Sequence, residues 1–131
     1  MRTLIVEDDS TSGLLLRRLL KSHGPCDIAV NGKEAVEAVR MALAAGEPYN
    51  LICLDIMMPE MDGQEALRQI REQEEARGIF FPDGASIVMT TALDDMANVS
   101  DAFYGLCDAY LTKPIQKATL MTELRKLNLI L

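Results

Sequence analysis

Leu51-Ile52-Cys53-Leu54-Asp55-Ile56-Met57-Met58-Pro59-Glu60-Met61-Asp62-Gly63 begins as an apolar run, stops on an acid and passes at once into a loop rich in breakers. Four consecutive apolar residues without alternation read as a strand buried on both faces, the pattern of a parallel sheet covered by helices. Pro59 and Gly63 bound the loop that follows, so Asp55 falls at the carboxyl tip of that strand. The position matters because open α/β sheets bind their ligands outside the carboxyl ends of the strands.

Working outward, short apolar runs alternate with longer segments of helical period, and five βα units can be counted. Thr3 to Val6 reads as the first strand, and Leu14, Leu15, Leu16, Leu19 and Leu20 give the next helix its apolar face, ended by Gly24-Pro25. The second strand runs from about Cys26 to Val30. Asn31, three residues before Glu34, has capping-box-like spacing and opens a helix through Ala35, Val36, Val39 and Leu43. Asp62 and Glu65 repeat that signal for a helix carrying Ala66, Leu67 and Ile70, fraying near Gly78. Ala85 to Thr90 is the fourth strand, tipped by Thr90-Thr91, and Asp94-Asp95 can cap a fourth helix. Ala109 to Thr112 is the last strand, stopped by Lys113-Pro114, and Leu120, Met121, Leu124 and Leu127 line a final helix.

Composition narrows the function classes. A length of 131 residues fits one domain, and 49% hydrophobic with 25% charged residues is ordinary globular composition. The formal net charge of −7 gives no basis for a sequence-independent grip on nucleic-acid phosphates. No apolar run reaches the roughly 18 residues of a membrane span, and no signal-peptide core precedes Glu7, so a cytoplasmic protein with no membrane partner is expected. Cys26, Cys53 and Cys107 lack zinc-site spacing and read as buried thiols. His23, the only histidine, removes most Ser-His-Asp and Cys-His catalysis and reads as a helix-end residue.

Parallel strands put their carboxyl tips on one edge, so Glu7-Asp8-Asp9, Asp55, Thr91 and Lys113 can converge although distant in sequence. Two carboxylates about 4 Å apart repel by roughly 4 kcal/mol at an effective dielectric near 20, so such a cluster stays ionised only beside a cation. Magnesium suits this donor set, because it takes one or two carboxylates, several waters and a phosphate. The lysine and threonine add a charge and a donor for phosphoryl oxygens.

In these residues the chain resembles the receiver domain of two-component response regulators. The likeness runs through Leu4-Ile5-Val6-Glu7-Asp8-Asp9, Leu54-Asp55-Ile56-Met57-Met58-Pro59-Glu60-Met61-Asp62-Gly63, Met89-Thr90-Thr91-Ala92 and Tyr110-Leu111-Thr112-Lys113-Pro114, over essentially the whole of residues 1–131. It implies a doubly wound α/β fold of flavodoxin-like type, a five-stranded parallel sheet in order 2-1-3-4-5 with five helices. It implies one receiver domain with no output domain after it. Carried over, the phosphoacceptor is Asp55, the magnesium ligands are Glu7, Asp8, Asp55 and the backbone carbonyl of Met57, and Thr91 and Lys113 attend the phosphoryl group. Thr91 and Tyr110 are the switch pair, Pro114 follows a cis peptide bond, and Asp9 caps the first helix. Glu7 stands where the family more often has Asp.

The implied function is transfer of a phosphoryl group from a histidine kinase phosphohistidine, a phosphotransfer protein or a small donor onto Asp55. The transfer would switch a surface made of the fourth helix, fifth strand and fifth helix. The protein is then a signalling switch and not an enzyme in the usual sense. Met57 and Leu93, both apolar, stand where the family controls water access, so slow dephosphorylation is expected. Downstream partners are an unidentified protein or a phosphorylation-dependent second copy, with no direct nucleic-acid contact, and the apolar tail Leu127, Leu129, Ile130 and Leu131 is either core packing or part of that contact. Two rivals fit less well. An aspartyl-phosphate hydrolase of the haloacid dehalogenase type would carry a second Asp at the position of Met57, and a degenerate receiver would not keep the complete acid, Thr and Lys set.

Overall fold

In the computed structural model, residues 1–58, 61–80, 83–92 and 106–131 are described. Five strands, β1 (Thr3–Val6), β2 (Cys26–Ala29), β3 (Leu51–Asp55), β4 (Ser86–Thr91) and β5 (Ala109–Thr112), form one sheet in the order β2-β1-β3-β4-β5. Every neighbouring pair is parallel. Helices α1 (Ser10–Leu20), α2 (Gly32–Ala44) and α3 (Gly63–Ala76) and a C-terminal helix (Lys117–Lys126) connect and cover the strands. The expected fold class and strand order therefore hold. The expected fourth helix, its Asp94-Asp95 cap and Leu93 lie outside the described residues.

Strand alternation divides the core in two. Ile52, Leu54, Ile87 and Met89 pack with α2 and α3 residues such as Ala35, Val39, Leu67 and Ile70. Leu51, Cys53, Val88 and Leu111 pack with Leu16 and Leu20 of α1 and Leu120 and Leu124 of the C-terminal helix. Successive strand side chains point to opposite faces, so two helix-covered faces require strands that are apolar throughout. All five residues of β3 are buried accordingly. Of the tail, Leu127, Leu129 and Ile130 pack on the second cluster and Leu131 is exposed.

The caps follow the local sequence. Asp9 accepts from Ser12 N (3.3 Å), Asn31 from Glu34 N (2.8 Å) and Asp62 from Glu65 N (2.9 Å). Glu34 reaches back to the amide of Val30 at 3.1 Å. Each cap satisfies an amide that the first helical turn cannot. His23 closes a 3-10 turn after α1, and Gly24 then takes φ 141°, where an added Cβ would lie 1.8 Å from the Met1 carbonyl oxygen. All three cysteines are buried and free.

The leucines of α1 are a correction. Leu16 and Leu20 are buried, but Leu14 and Leu15 are exposed. Positions 14, 15, 16, 19 and 20 cover too much of the helix circumference for one contact stripe, and the sheet takes the i, i+4 pair at 16 and 20.

At the amino edge of the sheet lies a charged cluster that the sequence reading did not anticipate. Arg71 on α3 donates to Leu106 O (3.1 and 3.0 Å), Ala85 O (2.9 Å), Glu74 Oε1 (2.8 Å) and Asp108 Oδ2 (3.2 Å). Glu74 Oε2 accepts from the Ala85 amide and Asp108 Oδ2 from the Ile87 amide, both at 2.7 Å. Arg71 and Glu74 are both buried. Gly84 makes room for the carboxylate, since a Cβ there would lie 2.2 Å from Glu74 Oε2.

Candidate functional site

The carboxyl edge is assembled by register. Ile5 pairs with Cys53 and Cys53 with Val88, all in the cluster beneath α1 and the C-terminal helix. Two residues farther along, the same face carries Glu7 after β1 and Asp55 at the end of β3, and Lys113 stands two residues beyond Leu111 of that cluster. α1 closes over them, with Gly13 placed so that an added Cβ would touch Glu7 Cβ at 3.8 Å. The turn after β3 is kept tight by Gly63, whose amide donates to Ile56 O at 2.7 Å and whose Cβ, if present, would lie 2.4 Å from the Asp55 carbonyl oxygen.

Asp55 is 5% and Glu7 2% exposed, while Asp8 faces solvent. One oxygen from each of these three carboxylates lies within 4.8 Å of the others. Lys113 Nζ stands 2.8 Å from Glu7 Oε2 and 3.4 Å from Asp55 Oδ2. The contact with Glu7 is a close ion pair to a buried oxygen. Glu7 Oε1 is held by the Asp9 amide at 3.2 Å, and Asp55 Oδ1 by the Met57 amide at 3.3 Å.

The electrostatics follow from burial. Withdrawal from water, then the charge of Glu7, pushes the Asp55 pKa up to about 7, with Lys113 pulling the other way. Burial acts to lower the Lys113 pKa, but the contact with Glu7 and the charge of Asp55 outweigh it and hold it above the ordinary value. Asp9 is lowered by its hydrogen bonds to Ser12. One lysine thus faces two buried carboxylates and a third nearby. The three oxygens and the excess of negative charge over the one ammonium together fit a hard divalent cation.

Glu7, Asp8, Asp55 and Lys113 are therefore brought together as expected. Met57, two residues beyond Asp55, reaches its carboxylate through the backbone amide. Thr91 is buried at the tip of β4, where its hydroxyl donates to Ala92 O at 3.2 Å and its carbonyl accepts from the Lys113 amide at 2.7 Å. Tyr110, the register partner of Met89, is 48% exposed. The Lys113-Pro114 peptide is cis. Thr90, by contrast, received no role from the sequence, although it is the register partner of Asp55 and is buried with an unsatisfied hydroxyl. The signal that finds it is strand alternation counted from Val88.

The sequence matches the family model for the response regulator receiver domain over residues 3–125. The chain belongs to the response regulator receiver family. It is 35% identical over 98% of its length to the two-component response regulator ORR41 of Oryza sativa subsp. japonica, covering 95% of that protein. It is also 35% identical to the chemotaxis protein CheY of Halobacterium salinarum, over 92% of this chain and 90% of that one. Against the osmosensing histidine protein kinase SLN1 of Saccharomyces cerevisiae it is 31% identical over 95% of its own length, spanning only 10% of the kinase.

Among solved structures, the receiver domain of the Pseudomonas aeruginosa sensor histidine kinase PA1611, with a magnesium ion in its active-site cleft, superposes with a TM-score of 0.76. The two are 25% identical, with 95% of this chain and 94% of that one covered. The Saccharomyces cerevisiae co-crystal of the phosphotransfer protein Ypd1 with the Ssk1 receiver gives a TM-score of 0.75 at 30% identity, covering 94% and 85%. Receivers are switches in two-component and phosphorelay signalling, and this chain is one by family. Among the described residues no helix is long and apolar enough to cross a membrane.

Proposed function

We propose that residues 1–131 act as one receiver domain that accepts a phosphoryl group on Asp55. The observation that carries this reading is the placement of a buried carboxylate at the tip of β3, with a lysine ammonium at 3.4 Å and two further carboxylates in reach of a shared cation. Asp55 attacks phosphorus through a carboxylate oxygen, and the bond from phosphorus to the donor's leaving group breaks, giving an acyl phosphate. Mg2+, when held by Glu7, Asp8, Asp55 and the Met57 carbonyl, supplies positive charge against the oxygens of the transferring group. Lys113 neutralises charge on the same group, and the Met57 amide fixes Asp55 Oδ1. Thr91 gives up its contact with Ala92 to donate to the phosphoryl oxygens.

The added group brings about −1.5 to −2 charge at neutral pH, which draws Thr91 inward and lets Tyr110 turn from its exposed position. The output surface then lies around β5 and the C-terminal helix, together with the fourth helix outside the described residues. The donor is the phosphohistidine of a sensor kinase or of a phosphotransfer protein, in keeping with relatives that are histidine kinases and with the Ypd1 complex. The target is a downstream protein or a second phosphorylated copy, and the setting is the cytoplasm. Turnover of the acyl phosphate is slow, because the exposed side chain of Met57 offers water no polar anchor.

The test is incubation with acetyl phosphate and magnesium followed by intact mass. One phosphate adduct is expected in the parent and none in Asp55→Asn. An adduct that persists in Asp55→Asn overturns the assignment.

A further inference from the structure

Thr90 is 1% exposed, and its Oγ1 has no hydrogen-bond partner. Buried hydroxyls nearly always have one, and a hydroxyl without it destabilises the fold. Its place in the sheet is specific. Thr90 registers with Asp55 on one side and Leu111 on the other. Val88, two residues before Thr90, shares a core cluster with Cys53, two residues before Asp55. Register partners on neighbouring strands, about 4.8 Å apart, point to the same face, so the Thr90 and Asp55 side chains stand side by side.

Among the described residues the Asp55 carboxylate has two donors, and both are long. The Met57 amide is 3.3 Å from Oδ1 and the Lys113 ammonium 3.4 Å from Oδ2. The last torsion of an aspartate is broad, so two long contacts leave the carboxylate plane loosely set. In-line attack on phosphorus depends on that plane.

We propose that Thr90 is a positioning residue for phosphoryl transfer. In the reacting complex its hydroxyl, unpartnered in the resting structure, turns to donate to the Asp55 oxygen that does not attack and so fixes the plane in which the other oxygen meets phosphorus. The inference rests on Asp55 being the phosphoacceptor. The bond that forms is Asp55 oxygen to phosphorus, and the bond that breaks is phosphorus to the donor's leaving oxygen or nitrogen. Thr90 keeps its proton throughout and afterwards donates to the acyl carbonyl.

The experiment compares Thr90→Val, Thr90→Ser and the parent, with acetyl phosphate and magnesium at fixed concentrations, followed by intact mass. Thr90→Val is expected to slow adduct formation about tenfold, the size one hydrogen bond carries. Its urea midpoint should equal or exceed the parent's, because an unsatisfied hydroxyl has been removed. Thr90→Ser should recover the rate to within about twofold of the parent. Equal rates for Thr90→Val and the parent overturn the proposal, as does a serine variant as slow as the valine one, which would assign the effect to packing of the methyl group. Asp55→Asn, run alongside, separates the two failures. An adduct there defeats the phosphoacceptor reading itself, whereas its loss there with no change in Thr90→Val defeats only the role of Thr90.

Discussion

At the amino edge of the sheet Arg71 meets Glu74 and Asp108, and at the carboxyl edge Lys113 meets Glu7 and Asp55. Each set is one cation with two carboxylates largely withdrawn from water. At the amino edge the guanidinium fork spreads its donors over two carbonyls and both acids, and the acids also take the amides of Ala85 and Ile87. At the carboxyl edge a single ammonium serves both acids, and a third acid lies within reach. Arginine presents a planar fork and lysine a point charge, so the first arrangement closes on itself and the second stays electrostatically open. One holds α3 to β4 and β5. The other keeps an excess of negative charge of the kind a hard cation fits.

Breaking the closed cluster should cost most. Arg71→Met removes the cation and strands the buried Glu74 and the partly buried Asp108, so a loss of about 3–5 kcal/mol is expected. Urea denaturation measures it, and a loss below that of an ordinary surface substitution would show that water reaches the cluster.

The open cluster should respond in the opposite sense. Asp55 has a folded-state pKa raised to about 7 from 3.8, so the folded protein holds an extra proton between those values and loses stability as pH rises through them. Asp55→Asn should therefore match the parent below about pH 4 and exceed it above about pH 7 in chelator. After allowance for solvent screening, the gain is about 1–2 kcal/mol. Thermal melts across pH test it, and a variant less stable than the parent at pH 8 would contradict the excess of negative charge.

Magnesium should sharpen the contrast. At ten times its dissociation constant a ligand of the folded state adds about 1.4 kcal/mol. The parent should gain that, Asp55→Asn and Asp8→Ala markedly less, and Arg71→Met as much as the parent, because its damage is at the other edge. A parallel gain in all four proteins would place the ion elsewhere. The smallest effect belongs to Arg68, which pairs with Glu65 and Glu72 on the solvated face of α3. Arg68→Ala should leave the urea midpoint unchanged, since exposed pairs contribute little beyond the entropy of holding them.

Much of this is legible in the sequence. The β3 run and its acid, the caps at Asp9, Asn31 and Asp62, and the bounds of β1 and β5 depend on residues within three or four positions of one another. Those same rules placed Glu7, Asp8, Asp55, Thr91 and Lys113 at strand tips. Local rules erred on α1, where Leu14 and Leu15 look like core and face solvent. They also missed Arg71, which by composition belongs to a charged helix face and instead is buried because Leu106, Ala85 and Asp108 close around it from elsewhere in the chain.

The sequence by itself determined the element types, the parallel class and the identity of the acids at the carboxyl edge, because alternation, capping and breaker residues act over a few positions. Tertiary structure decided which groups share a row. Register sets Thr90 beside Asp55, α3 docking buries Arg71, and the single ammonium between Glu7 and Asp55 leaves one edge short of positive charge. Those outcomes depend on strand order and on distances across the sheet, and no window of neighbouring residues contains either.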